Sequence, residues 1–190
     1  MDQTDAARRE FLVAIKNGLI SAPVSLVFNK ASGEPKMNED TVRTMDLPTV
    51  LASEHLIAAP CIDTDVPGYL VLRSSVAYQH IFDAPLAFQS DLGVMLAKLE
   101  SATISVTGAQ HVYIARFSEA SATVHFHLFP RTAAIGAQFL RENPEVTDGV
   151  NGPLLFDWAR RKYHVEKPDQ LSAHTLAIAE QIRRTCQAKV

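Results

Sequence analysis

The segment TVHFHLFPR, residues Thr123 to Arg131, constrains the fold of this chain more than any other stretch. Apolar and polar residues alternate in it, and a period of two is typical of a β-strand with one buried face. The apolar residues at positions 124, 126 and 128 are therefore expected to enter the core. Thr123, His125 and His127 are then expected to lie together on the opposite face, with the histidine Cα atoms roughly 6–7 Å apart.

The remaining pattern predicts a mixture of strands and helices. Apolar runs bounded by turn residues predict strands at 24–28, 55–59, 68–72 and 112–117. Helical periodicity predicts helices at 5–17 and 83–99, and two more that begin near residues 151 and 170. Residues 29–48 are polar and are expected to form a loop. Strands, a long helix and further strands favour an α+β fold with an antiparallel sheet.

Length and composition predict one globular unit. The chain has 190 residues, of which 47% are hydrophobic and 21% charged, which is ordinary globular usage. We expect residues 1–135 to form the α+β domain. Residues 136–190 are expected to form a C-terminal helical extension packed on the same domain, because so short a tail cannot bury a core of its own.

The charge balance and the missing motifs exclude several classes of function. Lys and Arg number 18 against 21 Asp and Glu, so nothing attracts the chain generally to nucleic acid or to an anionic membrane. No secretory signal and no membrane-spanning run is visible, so we expect a cytoplasmic protein. Cys61 and Cys186 lie far apart and form no metal or disulfide pattern. Glycine-rich nucleotide loops and a hydrolase nucleophile elbow are missing from the sequence.

The two histidines are the candidate reactive groups. Imidazoles two residues apart on one strand can bind a metal ion, or can share nucleophilic and acid–base work on a phosphoryl group. A catalytic zinc usually takes three protein ligands. His55, His80 or His111 is available as a third ligand, although no spacing requires it. A third interpretation is that the pair simply faces solvent from an edge strand.

The residues around the pair resemble the motif of the histidine-triad superfamily, His-φ-His-φ-His-φ-φ with φ apolar, often followed by Pro-Arg. Alignment on residues 130–131 places Thr123 at the first triad position, His125 at the middle and His127 at the third. A register two residues later leaves Phe129 at the third position and loses the Pro-Arg match. The alignment on Pro-Arg is therefore preferred.

The resemblance extends upstream of the motif. PGYLVL at 67–72 is similar to the family's Pro-Gly strand, and the helix at 83–99 stands where the family has its long helix. The resemblance thus covers about residues 50–133. It implies a histidine-triad-like antiparallel sheet with a long helix, to which this chain adds an N-terminal helix and the C-terminal extension. It also implies a homodimer.

The resemblance implies a nucleotidyl hydrolase or transferase, similar to the diadenosine polyphosphate hydrolases. The substrate would be a dinucleotide polyphosphate or a nucleoside phosphoramidate, and the intermediate a nucleotidyl-histidine. His125 is then the nucleophile and His127 the partner of the phosphoryl and leaving groups, while Thr123, Arg131 and Ser121 bind substrate. No tightly bound cofactor or protein-held metal is implied, although Mg²⁺ can accompany a polyphosphate.

The chain departs from the family pattern at two positions near the motif. Thr123 replaces the first histidine, and a hydroxyl can form hydrogen bonds but carries no positive charge. Glu119 places a negative charge in the turn where the family often has Gln. These departures leave an alternative open, a non-catalytic nucleotide-binding protein of the same fold. Asp63 and Asp65 lie near the family's ribose-binding acid, and Trp158 is either core or a base-stacking residue.

Overall fold

The structure is a computed structural model that describes residues 47–117 and 123–188. Within these ranges the strands are β1 Leu51–Ala52, β2 Leu56–Pro60, β3 Leu70–Ser74, β4 His111–Ala115 and β5 His125–Arg131. The α-helices are α1 Leu86–Thr107, α2 Ala133–Glu142, α3 Gly152–Lys162 and α4 Ala173–Ala188. Short 3₁₀ helices span Ile81–Asp83 and Pro168–Gln170.

The five strands form one antiparallel sheet in the order β1-β2-β3-β5-β4. This confirms the predicted α+β fold with an antiparallel sheet and a long helix. Strand β5 lies between β3 and β4, so the histidines do not sit on an edge strand. Helix α1 runs eight residues beyond the predicted end at 99 and stops at Gly108, whose φ of 65° lies in the left-handed region that favours glycine.

One face of the sheet packs against α1 and α4. The predicted alternation on β5 is confirmed, because Val124 and Leu128 are fully buried and Phe126 is packed against the same core. Helix α1 contributes its stripe of buried residues to this core. Helix α4 adds Ile182, which is fully buried. The last helix of the chain is therefore part of the main core.

The opposite face carries a second core, which α2 and α3 cover. Its members are buried residues of the sheet, the 61–69 loop and the two helices: Cys61, Val66, Tyr69, Val71, Phe129, Phe139, Leu155, Phe156, Trp158 and Ala159. His127 lies on this face and is only 8% exposed. The sheet is thus buried on both sides, and the histidine face is partly covered by the C-terminal helices.

Helix α2 was not predicted from the sequence. Thr132 begins it as a cap, since its hydroxyl accepts a hydrogen bond from the backbone N–H of Ile135 at 3.3 Å. The predicted domain boundary between residues 135 and 136 falls inside this helix. Helix α3 begins as predicted, with Asn151 accepting from the N–H of Leu154 at 3.2 Å.

Several sequence predictions lie outside the described residues. They are the helix at 5–17, the strand at 24–28, most of the loop at 29–48, and the turn that carries Glu119 and Ser121. None of the four α-helices named above combines the length and the apolar character needed to cross a bilayer.

We expect Ile182→Ala to lower the free energy of unfolding by about 2–4 kcal/mol, because it leaves a cavity in the main core. Leu154→Ala is the matched control, since Leu154 also belongs to the extension but is 51% exposed. Its cost should stay below about 1 kcal/mol. Urea denaturation of both variants measures the difference. Equal losses would show that α4 is not packed into the core.

Candidate functional site

The register of β5 with its neighbours places the histidines on the second face. His127 lies opposite Val71 of β3 and Ala115 of β4, and His125 lies opposite Arg73 of β3. Residues directly opposite in an antiparallel pair share a face. The two imidazole rings meet edge to face with centroids 5.3 Å apart. The structure therefore brings His125 and His127 together, with Arg73 beside His125.

The hydrogen bond of His125 identifies its reactive nitrogen. Its Nδ1 lies 2.9 Å from the backbone carbonyl oxygen of Thr123. A carbonyl oxygen can only accept, so Nδ1 must carry the proton. In the neutral ring Nε2 is then unprotonated and keeps its lone pair. His125 is half-buried and presents this nucleophilic nitrogen on the side of the ring away from Thr123.

Thr123 contributes to the site through its backbone. The carbonyl that accepts from His125 belongs to Thr123, which the sequence resemblance aligns with the first triad position, and any residue type supplies a carbonyl there. A threonine in place of a histidine at this position therefore leaves the contact intact. What the replacement removes is a side chain able to carry positive charge.

His127 is held by a tyrosine that the sequence analysis did not single out. The Tyr69 hydroxyl lies 2.8 Å from His127 Nδ1, and both residues are buried. Burial raises the pKa of the Tyr69 phenol well above its usual range, so the phenol keeps its proton. An unprotonated imidazole nitrogen is a better hydrogen-bond acceptor than a phenol oxygen, so we assign the phenol of Tyr69 as the donor. Nε2 of His127 then carries the N–H and can donate to a ligand.

The surroundings of His127 keep its ring neutral. Burial, and after it the positive charge of Arg160, lowers the pKa of His127 from 6.5 to about 4. At neutral pH the ring is a hydrogen-bond donor and not a cation.

The rings of two phenylalanines pack near the imidazole of His127. The ring centroid of His127 lies 6.2 Å from that of Phe117 and 6.0 Å from that of Phe156, and the two phenyl rings are 5.8 Å apart. Phe156 is buried and comes from α3, whereas Phe117 is 59% exposed. Trp158 packs instead on Phe139 in the second core, away from the histidines. The extension therefore covers His127 with an apolar ring.

A half-buried polar cluster connects α3 to the loop that precedes β3. Arg160 donates to Asp63 at 2.7 Å, Cys61 donates to the other oxygen of Asp63 at 3.1 Å, and the Arg160 guanidinium lies 6.0 Å from the centre of the Phe156 ring. Burial together with Asp63 raises the pKa of the Cys61 thiol to about 12, so the thiol stays protonated and unreactive. Asp63 thus holds Arg160 next to the Phe156 ring that packs on His127.

Asp63 and Asp65, for which the sequence resemblance suggested a ribose-binding role, both have structural contacts. Asp63 pairs with Arg160. Asp65 accepts hydrogen bonds from the hydroxyls of Ser172 at 3.0 Å and Thr175 at 2.5 Å, at the start of α4. Both carboxylates therefore tie the extension to the loop that precedes β3.

Arg131 is not among the residues that the structure brings together. Arg131 donates to the side chain of Gln110 at 3.1 Å. It follows His125 by six residues on β5, so their Cα atoms lie about 20 Å apart. Ser121 lies outside the described residues.

The third metal ligands considered from the sequence lie elsewhere. His55 contacts Phe88 of α1, His80 stacks on Phe82, and His111 lies opposite Arg131 at the far end of the sheet. Within 47–117 and 123–188, no three His, Cys, Asp or Glu side chains converge to hold a metal ion.

No protein-family model matches this chain, and no curated protein matches it. Solved structures similar to it include a Hit-like protein involved in cell-cycle regulation from Bartonella henselae, with 16% identity, 73% of this chain and 86% of that chain covered, and a TM-score of 0.49. A histidine triad protein from Bradyrhizobium japonicum has 15% identity and a TM-score of 0.49, and the match covers 82% of this chain and 97% of that chain. A hypothetical histidine triad nucleotide-binding protein from Sulfolobus tokodaii has 12% identity, coverage of 77% and 88%, and a TM-score of 0.49. At such identities the activity has to be argued from the site itself.

Tyr69→Phe should alter the imidazole of His127 while leaving the packing of the ring in place. Without the phenol, Nδ1 loses its donor, so both neutral tautomers of His127 become populated. The ¹⁵N chemical shifts of the imidazole measure this change. Tyr113→Phe is the matched control, because the Tyr113 ring stacks on Phe129 on the same face of the sheet. Unchanged His127 shifts in Tyr69→Phe would contradict the assigned hydrogen bond.

The low pKa of His127 predicts a loss of stability in acid. Since the native pKa is about 4 and the unfolded value 6.5, the unfolded chain binds the proton first as pH falls. As the pH falls from 6.5 to about 4, protonation of His127 in the unfolded chain should lower the free energy of unfolding by up to about 3 kcal/mol.

Urea denaturation at pH 7, 5.5 and 4.5 measures this loss, and His127→Gln should be less sensitive to pH over the same interval. Identical pH dependence in the variant and the wild type would contradict a buried neutral His127.

Proposed function

We propose that this protein is a nucleotidyl hydrolase or transferase of the histidine-triad type, with a dinucleotide polyphosphate as its first candidate substrate and a nucleoside phosphoramidate as its second. One observation carries the proposal. The Thr123 carbonyl holds the proton of His125 on Nδ1 and leaves Nε2 free to attack. The match of the surrounding residues to the histidine-triad motif supports the same activity.

In the first step Nε2 of His125 attacks the α-phosphorus. A phosphorus–nitrogen bond forms as the bridging phosphorus–oxygen bond breaks, and the leaving group departs with the electron pair. The nucleotidylated ring becomes cationic, with its proton still on Nδ1 and held by Thr123. His127 donates its Nε2–H to the bridging oxygen as negative charge develops there.

In the second step water attacks the same phosphorus. The phosphorus–nitrogen bond breaks, its electron pair returns to Nε2 of His125, and the proton of the water goes to solvent. The product is a nucleoside monophosphate. If a hydroxyl of another molecule attacks in place of water, the same step transfers the nucleotidyl group.

The neutral state of His127 favours a phosphate leaving group. A terminal phosphate has a pKa near about 6 and departs without being fully protonated. An amine leaving group must gain a proton as it departs. At neutral pH the His127 ring, with a pKa of about 4, rarely carries the extra proton that an amine would need. Dinucleotide polyphosphates therefore fit this site better than phosphoramidates. The mechanism uses no metal held by the protein, and Mg²⁺ enters only with the polyphosphate.

A second candidate is nucleotide binding without turnover. The burial of His127 under Phe156 favours it, because a covered imidazole has less access to a leaving group. Binding of this kind requires only that the phosphates reach His125.

Release of nucleoside monophosphate from a panel of dinucleotide polyphosphates and adenosine phosphoramidate tests the proposal. Wild type should turn over at least one member, and His125→Ala should lose about 1000-fold or more. His111→Ala is the matched control, since His111 is an exposed histidine at the far end of the sheet.

A covalent nucleotidyl adduct, detected by intact mass in alkaline denaturant, should form in wild type and be missing from His125→Ala. Equal rates in wild type and His125→Ala would place the chemistry elsewhere. Thermal stabilisation by nucleotide with no product would support the second candidate.

A further inference from the structure

In the proposed first step, His125, His127 and Thr123 offer no positive charge to the phosphate. His125 has to be unprotonated at Nε2 to attack, the ring of His127 is neutral because of its burial, and the Thr123 side chain carries no charge. The attacked phosphoryl group is negative and becomes more so at its oxygens as the reaction proceeds. Some other residue beside His125 must balance this charge.

Arg73 is the cation that the sheet places there. It lies directly opposite His125 in the β3–β5 ladder, so the two side chains share a face and their Cβ atoms are about 4.5–5.5 Å apart. Arg73 is half-buried. The positive charge of Arg73 also contributes to the low pKa of His127. The guanidinium therefore belongs to the immediate environment of the histidine pair.

Three other arginines near the sheet lie at other positions and do not face His125 across the ladder. Arg160 is paired with Asp63 at 2.7 Å. Arg131 donates to Gln110 at the far end of β5. Arg116 donates to the backbone carbonyl of Gln79 at 2.8 Å. Of these arginines and Arg73, only Arg73 lies directly opposite the nucleophile in the ladder.

We propose that Arg73 binds the non-bridging oxygens of the phosphoryl group that His125 attacks, and so supplies the charge that Thr123 cannot. The proposal rests on the proposed function of this site. A planar guanidinium suits the task because it donates two parallel hydrogen bonds to one phosphate. Burial lowers the pKa of Arg73, but a guanidinium remains protonated in proteins, and a bound anion offsets the cost of burying its charge.

A direct consequence is selection for the phosphate over the nucleoside. Adenosine 5′-monophosphate should bind the wild-type protein more tightly than adenosine, and inorganic phosphate should compete with it. The difference should depend on Arg73 and not on catalysis.

Isothermal titration with adenosine 5′-monophosphate and with adenosine tests this consequence. Arg73→Gln should weaken binding of the monophosphate about 10- to 100-fold and leave adenosine unchanged. Arg73→Lys should fall between wild type and Arg73→Gln, because it keeps the charge and loses the bidentate geometry. Arg161→Gln is the matched control, since Arg161 is an exposed arginine of α3 that pairs with Asp157.

The outcomes separate this inference from the proposed function. Equal affinity of wild type and Arg73→Gln for the monophosphate overturns the role of Arg73, even where His125-dependent turnover is present. The role of Arg73 is also overturned if the wild-type protein binds adenosine 5′-monophosphate no more tightly than adenosine. Arg73-dependent binding with no turnover of any substrate supports the inference while the proposed reaction fails. Unchanged adenosine affinity in Arg73→Gln shows that the variant is folded.

Discussion

The burial of strand β5 on both faces is the constraint on which the site depends. One face of the strand packs on α1 and α4, so its apolar residues fix the register of the sheet. A slip of one residue would move every side chain to the opposite face. Because the register is fixed, His125 and His127 point to the second face, and the residues opposite them on β3 are determined as well.

The chemistry proposed for the site follows from the hydrogen bonds of its two imidazoles. His125 donates its Nδ1–H to a carbonyl, so Nε2 is the nitrogen that is available to attack. His127 is neutral because it is buried under Phe156 with a tyrosine on its Nδ1. Each ring is thus suited to one task, attack for the first and donation of a hydrogen bond for the second. In the proposed reaction the positive charge comes from a separate residue, Arg73.

The C-terminal extension contributes side chains that surround the histidine pair. Its α3 supplies Phe156 and the Arg160 that pairs with Asp63, while α4 is tied to Asp65 and packs into the main core. Its helix α2 had a recognisable signal in the sequence. Thr132 is a good cap, and Ile135 and Phe139 follow at helical spacing.

The sequence by itself determined the α+β class, the long helix and the shared face of His125 and His127, because the period of a strand is a local property. It could not identify Tyr69 or Arg73 as neighbours of these histidines, since they are more than fifty residues away in the chain and only strand pairing brings them close. It also pointed to Arg131, which lies on the same face but about 20 Å along the strand from His125. Tertiary structure decided these points because register, burial and protonation depend on contacts that span the chain.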